Sequence, residues 1–242
     1  MDAPVDALAT LAAFCARSKR ASSVNFPIGY VRQPAGTKPM SARLFTSSEL
    51  RLRLHMTLVM RATKAPHTLT KSTTHYLARL MNLPGDTGPR RINDAMKFLR
   101  GEKLVVDTPL ADGKPGLLLL QPDGSGEPWQ VSKKLWIGVP FSLWSNGWIL
   151  QLGGRELAVF LALTDLNYGS KELRGETMTG HRKAQYGLAD DTWTRATKKL
   201  EALGLLEITS ERFGSEELEV RTRNRYRLLV DKLEEQPDWT LG

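Results

Sequence analysis

One arrangement of residues occurs twice in this chain, and it restricts the fold more than any other feature. In the stretch GLADDTWTRATKKLEALGLLEI (187–208), Trp193, Ala196, Leu200 and Leu203 recur at helical spacing, then Gly204 and an apolar strand follow. About 101 residues earlier the order is the same. Ile92, Ala95, Met96 and Leu99 form a helical stripe, and Leu104-Val105 open a strand. Ile92 aligns with Trp193, Ala95 with Ala196, Leu99 with Leu200, and Leu104-Val105 with Leu205-Leu206. Identity is low, but the order of helix, helix, turn, helix and two-stranded hairpin is shared. A duplicated module accounts for it.

The first copy reads as follows. Ser47 or Ser48 caps a helix reaching Ala62, with Leu50, Leu54, Leu58 and Ala62 along one stripe. A second helix fits Thr70 to Met81, a turn LPGDTG follows, and a third helix fits Thr87 to Gly101. Lys103–Asp107 and Gly116–Gln121 make a hairpin around ADGKPG. In the second copy, PFSLWSNGWIL (140–150) reads as a short packing element or inter-domain brace. Gly153-Gly154 open an apolar core helix, Arg155 to Asn167. Helices then fit Thr179 to Tyr186 and Asp190 to Leu203, with strands at Leu205–Thr209 and Arg221–Val230. Asp190 or Asp191 is expected to cap the last helix, and Gly204 to end it in a left-handed conformation.

Ahead of both copies, residues 4–17 show helical spacing through Val5, Leu8, Leu11, Ala12 and Cys15. Residues 22–45 carry Pro27, Gly29, Pro34, Gly36 and Pro39 and read as extended or loop. The expected organisation is therefore an α+β, mainly α, chain. It has an N-terminal helical and extended arm (1–45), a first domain (46–121), a Gly/Pro/Ser-rich linker (122–139) and a second domain (140–242). The short helix 4–17 would be marginal alone, so it packs on its own domain or on a second copy in a homodimer.

The chain holds 34 Lys plus Arg against 26 Asp plus Glu, a formal net charge of +8. The excess lies in residues 1–130, with 18 basic and 10 acidic side chains; residues 131–242 hold 16 of each. A basic excess favours a polyanionic partner. Cys15 is the single cysteine, so no internal disulfide can form, which suits a reducing cytoplasm. The start lacks the basic-then-apolar order of a secretion signal, and no run of about 18 apolar residues predicts a membrane span. No phosphate-binding glycine motif and no serine or cysteine nucleophile motif occurs. The spacing of His55, His67, His75 and His181 does not suit a metal. These readings predict no cofactor, no metal, no small-molecule ligand and no enzyme activity.

An exposed basic helix face, an apolar back and an immediate hairpin are what a helix needs to enter a major groove while a wing touches the backbone. Each half resembles a winged helix-turn-helix module. KAQYGLADDTWTRATKKLEALGLLEI carries the likeness in the second half; TKSTTHYLARLMNLPGDTGPRRINDAMKFLRGEKLVVD carries it more loosely in the first. The likeness covers roughly 46–121 and 140–230. It implies DNA contacts from Thr87, Arg90, Arg91, Asn93, Asp94 and Lys97 in the first third helix. In the second it implies Asp191, Thr192, Thr194, Arg195 and Lys198. The starts of the positioning helices add Thr70, Lys71, Ser72 and Thr73, and Thr179, His181, Arg182 and Lys183; the wings add Lys114 and Arg212. Arg90-Arg91 and Lys198-Lys199 would otherwise be plain solvated charges, but each pair lies on the third helix of its copy.

Alternating Arg221, Arg223, Arg225 and Arg227 suggest a second phosphate stripe, unless Glu216, Glu217 and Glu219 neutralise them. The basic stretch Arg17–Arg20 would trail along phosphates. The expected function is sequence-specific binding of double-stranded DNA by a transcriptional regulator, in the cytoplasm and on nucleoid or plasmid DNA. The alternative is a plasmid or phage replication initiator gripping origin repeats with both modules. A protein–protein adaptor is a third class, since the second half has no net charge.

Overall fold

The structure, a computed structural model, describes residues 2–130, 135–168, 175–213 and 221–241. In chain order the first half contains α1 (Val5–Ala16), β1 (Ser23–Pro27), α2 (Ile28–Val31), α3 (Met40–Ser47), α4 (Glu49–Arg61), β2 (Thr68–Thr70), α5 (Thr74–Leu80), α6 (Gly88–Gly101), β3 (Val105–Pro109) and β4 (Pro115–Leu119). The second half contains β5 (Trp136–Pro140), α7 (Ser142–Ser145), α8 (Trp148–Gln151), α9 (Gly154–Leu166), β6 (Glu176–Thr177), α10 (Gly180–Gln185), α11 (Asp190–Ala202), β7 (Leu206–Phe213) and β8 (Arg221–Leu228). Two short 3-10 turns, Val230–Glu234 and Trp239–Leu241, follow. The class is α+β, with small antiparallel sheets ordered β1-β5, β2-β4-β3 and β6-β8-β7.

The repeat starts earlier than Thr46. Each half runs strand, short helices, long apolar helix, short strand, helix, helix, hairpin. The two leading strands, β1 and β5, pair with each other: Ser23 faces Pro140, Asn25 faces Gly138, and Pro27 faces Trp136. Such a register, with equivalent prolines closing equivalent strands, is what a local two-fold axis through the ribbon's centre produces. Beside the ribbon, α4 meets α9 at their N-terminal ends. A Cβ on Gly154 would stand 2.6 Å from the Cα of Glu49, so only glycine permits this approach. Arg53 on α4 donates from Nη2 to the Leu152 carbonyl at 2.8 Å, tying the halves together.

The described part of the expected arm, residues 2–45, is therefore not an appendage. Leu11, Phe14, Val24, Phe26, Tyr30, Met40 and Leu44 all lie in the core shared by both halves. Of the prolines that read as loop markers, Pro27 and Pro39 directly precede α2 and α3, while Pro34 does lie in the loop between them. Proline is compatible with a helix start, where its missing N–H costs nothing. Arg20 turns back and donates to the carbonyls of Val59, Met60 and Ala62, satisfying the open end of α4.

The described start of the segment expected to be a linker, 122–130, is also pinned. Gln121 N–H donates to the Glu127 carbonyl and Trp129 N–H to the Leu119 carbonyl. Trp129 is thereby buried edge-on to Phe26 and close to His55. The brace 140–150 packs as two short helices. Trp144 Nε1 donates to Thr57 Oγ1 on α4, and Trp148 Nε1 to the Glu235 carbonyl of the C-terminal segment.

The expected second helix at Thr70 begins later. Thr68–Thr70 form β2 against β4, because a β-branched TLT run suits an edge strand. Thr73 then caps α5, accepting from Tyr76 N–H. Gly204 takes a left-handed φ of +71° after α11, and Lys103 takes φ +52° at the equivalent point after α6. Gly101, by contrast, still belongs to α6.

Candidate nucleic-acid interface

Helix α6 buries Ile92, Ala95, Met96 and Leu99. That leaves Arg90, Arg91, Asn93, Asp94 and Lys97 exposed on the opposite side, with Thr87 exposed just ahead of the first turn. The helix can approach α5 closely because Gly88 lacks a side chain: a Cβ there would lie 2.9 Å from those of Ala78 and Leu83. No ion pair is formed by Arg90, Arg91 or Lys97 with an acid among the described residues.

Helix α11 buries Trp193, Ala196, Thr197 and Leu200, packed on α9, with Trp193 edge-on to Tyr226. Thr194, Arg195 and Lys198 are exposed and Thr192 is half-buried. Its acids do not cap it: the N-cap is Ala189. They bind cations instead. Asp190 accepts from Lys183 Nζ at 2.7 Å, and Asp191 from Arg195 Nε at 2.8 Å. The Lys183 bond holds the Asp190 carboxyl below the usual carboxylate range. The acids still complement the positive end of the helix.

Around these helices the other expected residues fall as follows. Thr179 caps α10 by accepting from Arg182 N–H, His181 is exposed, and Arg182 is half-buried. Lys114 sits at the tip of the β3–β4 hairpin, paired with Asp112 at 2.7 Å. Arg212 is exposed on β7. The arginine stripe of β8 meets acids across the ladder on β7, where Arg227 binds Glu207 and Arg225 binds Glu211. The acids expected to do this, Glu216, Glu217 and Glu219, lie outside the described residues.

Five expected residues come together in one place. Thr70, Lys71, Ser72, Thr73 and Asn93 line a cleft of about 820 Å³ between α1, α4, α5, α6 and the β2–β4 edge. Its floor is apolar, including Phe14, Tyr76, Leu77 and Met96, and its cations are Arg17, Arg61, Lys71 and Arg100. Asp107 is its one acid, bonded by Arg100 and Lys71, which keep its carboxyl below the usual range. Thr87, Arg90, Arg91, Lys97 and Lys114 lie outside the cleft. Sequence reasoning missed Arg61 and Arg100, because residues 17, 61 and 100 share no spacing and only the fold joins them. A second cleft of about 490 Å³ collects Lys38, Glu49, Arg155 and Thr192.

Among the described residues, no group of three His, Cys, Asp or Glu side chains is placed to hold a metal ion, and no helix is long and apolar enough to cross a membrane. Comparison with protein-family models, with curated proteins and with solved structures returned no significant match.

Proposed function

We propose that this protein is a sequence-specific binder of double-stranded DNA, built from two winged-helix-like modules and without enzyme activity of its own. The observation that carries the reading is the exposed set Arg90, Arg91 and Lys97, which forms no ion pair among the described residues although Asp94 shares its face, on a helix whose other side is buried in the core. A rigid helix with such a face suits a major groove, where arginine pairs bidentately with guanine and asparagine with adenine. Asn93 stands ready for the second contact, and Ser72 and Thr73 for phosphates, with Lys71 joining them on leaving Asp107.

Two roles fit: a transcriptional regulator, or an initiator of plasmid or phage replication that grips origin repeats. The β1–β5 register favours the initiator. A regulator commonly gains its dyad by dimerising, whereas here one chain supports two modules about its own local two-fold. Such a chain engages one composite site as a monomer, in the cytoplasm.

Selection of bound duplexes from a random pool tests the proposal. One recovered motif of two unequal halves is expected, with affinity that falls steeply as salt rises. Recovery of no motif, or binding indifferent to salt, defeats it. Repeats of that motif beside an AT-rich tract support initiation; a single copy overlapping a promoter supports regulation.

A further inference from the structure

We propose that the 820 Å³ cleft of the first half is a phosphate site, in which Arg17 and Arg61 clamp the phosphate of a nucleotide unit whose body lies on the apolar floor.

Arg17 ends α1 and Arg61 ends α4, and both line the cleft. Neither forms an ion pair with an acid among the described residues. Cations at a helix end are ordinarily explained by the open carbonyls there. That explanation fails for Arg61, because Arg20 already occupies the carbonyls of Val59, Met60 and Ala62 at the end of α4, and the Arg61 guanidinium lies instead 5.9 Å from the centroid of the Phe14 ring. Partial burial first, and then the charge of Arg17, lower the Arg61 pKa, with Tyr76 acting in the opposite direction. The cleft's single acid, Asp107, is already committed to Arg100 and Lys71.

The remaining lining selects the anion. A phosphate dianion accepts bidentate bonds from guanidinium groups. The Tyr76 hydroxyl is buried without a hydrogen-bond partner and Asn93 adds an amide, so donors for a sugar or base are at hand. Phe14 and Tyr76, with ring centroids 6.2 Å apart, give a body of nucleotide size an aromatic surface. Inorganic phosphate alone would leave that surface uncovered, so it is the weakest of the expected ligands.

The nucleotide unit has two sources: a DNA strand passing the module, or a free mononucleotide. The site does not depend on groove reading by α6 or α11. The test measures binding of ATP, of a duplex carrying the selected motif, and of inorganic phosphate to the full chain. It compares wild type with a variant carrying Arg17→Gln and Arg61→Gln, which keeps the apolar stems. Ligand-induced rise in Tm and direct titration are the readouts. A tenfold or greater loss of ATP affinity in the variant, with its Tm rise abolished, assigns a free nucleotide. The same loss for duplex alone assigns the DNA strand. The proposal is overturned if the variant binds both probes as wild type does, if wild type binds neither, or if inorganic phosphate binds as tightly as ATP. If wild type binds ATP through these arginines but no duplex, the cleft stands and the DNA-binding proposal falls.

Discussion

Helices α6 and α11 hold the same place in two copies of one arrangement, yet they present different charge. On α6 the cations Arg90, Arg91 and Lys97 have no acidic partner among the described residues. On α11 two acids in the first turn take up Lys183 and Arg195, and Lys199 donates to the Leu241 carbonyl of the C-terminal segment. The same contrast appears in the totals, 18 basic to 10 acidic residues before position 131 and 16 to 16 after it. A shared backbone plan therefore does not impose a shared electrostatic task. In the proposed complex the first module supplies most of the attraction to phosphate. The second has to dislodge its own carboxylates before its cations reach DNA.

Both halves share one core, and the largest expected effect lies at their junction. Trp129→Ala empties a site between Phe26 and His55 and should cost about 3–5 kcal/mol in urea unfolding. It should lower the stability of both halves in one transition. Two separated transitions with only one shifted would show that the halves unfold independently.

Next in size is the pair of helix faces themselves. Arg90→Ala and Arg91→Ala should each weaken binding of the selected duplex by about 1–3 kcal/mol and relax its sequence preference. Arg195→Ala should cost less than either, since Arg195 is already paired. A titration in which Arg195→Ala costs more reverses the assignment of the dominant module.

The junction also carries a pH term. His55 is fully buried against Tyr30, whose hydroxyl is 3.0 Å from Nδ1, and burial pushes its pKa down to about 3. The unfolded chain takes up this proton near the ordinary value of about 6.5, while the folded chain stays neutral. Stability should therefore fall as pH drops below about 6.5, approaching 1.4 kcal/mol per unit for this one proton until about pH 3. His55→Gln should remove that slope, whatever it costs at pH 7; an unchanged slope assigns the acid sensitivity elsewhere.

The smallest effect sharpens the contrast most directly. Asp190→Asn with Asp191→Asn should release Lys183 and Arg195 and raise duplex affinity by roughly two- to fivefold. Binding unchanged by both substitutions would mean that α11 stays away from the duplex.

Much of this architecture was legible beforehand, and the reasons are local. The stripes Ile92–Leu99 and Trp193–Leu203 announce helices, since burial on one side forces helical spacing; all their apolar residues are buried. Gly204 announces a helix end by its tolerance of positive φ. The end of α6 at Gly101 was legible too, but nothing in the sequence marked Lys103 as the residue that turns left-handed after it. Of the candidate site, the polar faces of α6 and α11 could be read from spacing, while Arg61 and Arg100 could not.

By itself, the sequence determined which segments form helices and strands, the order in which they recur, and the surplus of positive charge ahead of residue 131, for these depend on neighbours a few positions apart. Tertiary packing alone brings residues 2–45 into the common core, sets β1 against β5 across more than a hundred residues, and gathers Arg17 and Arg61 at one cleft whose single acid, Asp107, is bonded by Lys71 and Arg100. Pairing of edge strands and convergence of side chains are set by how helices pack in three dimensions, and packing leaves no fixed interval along a chain.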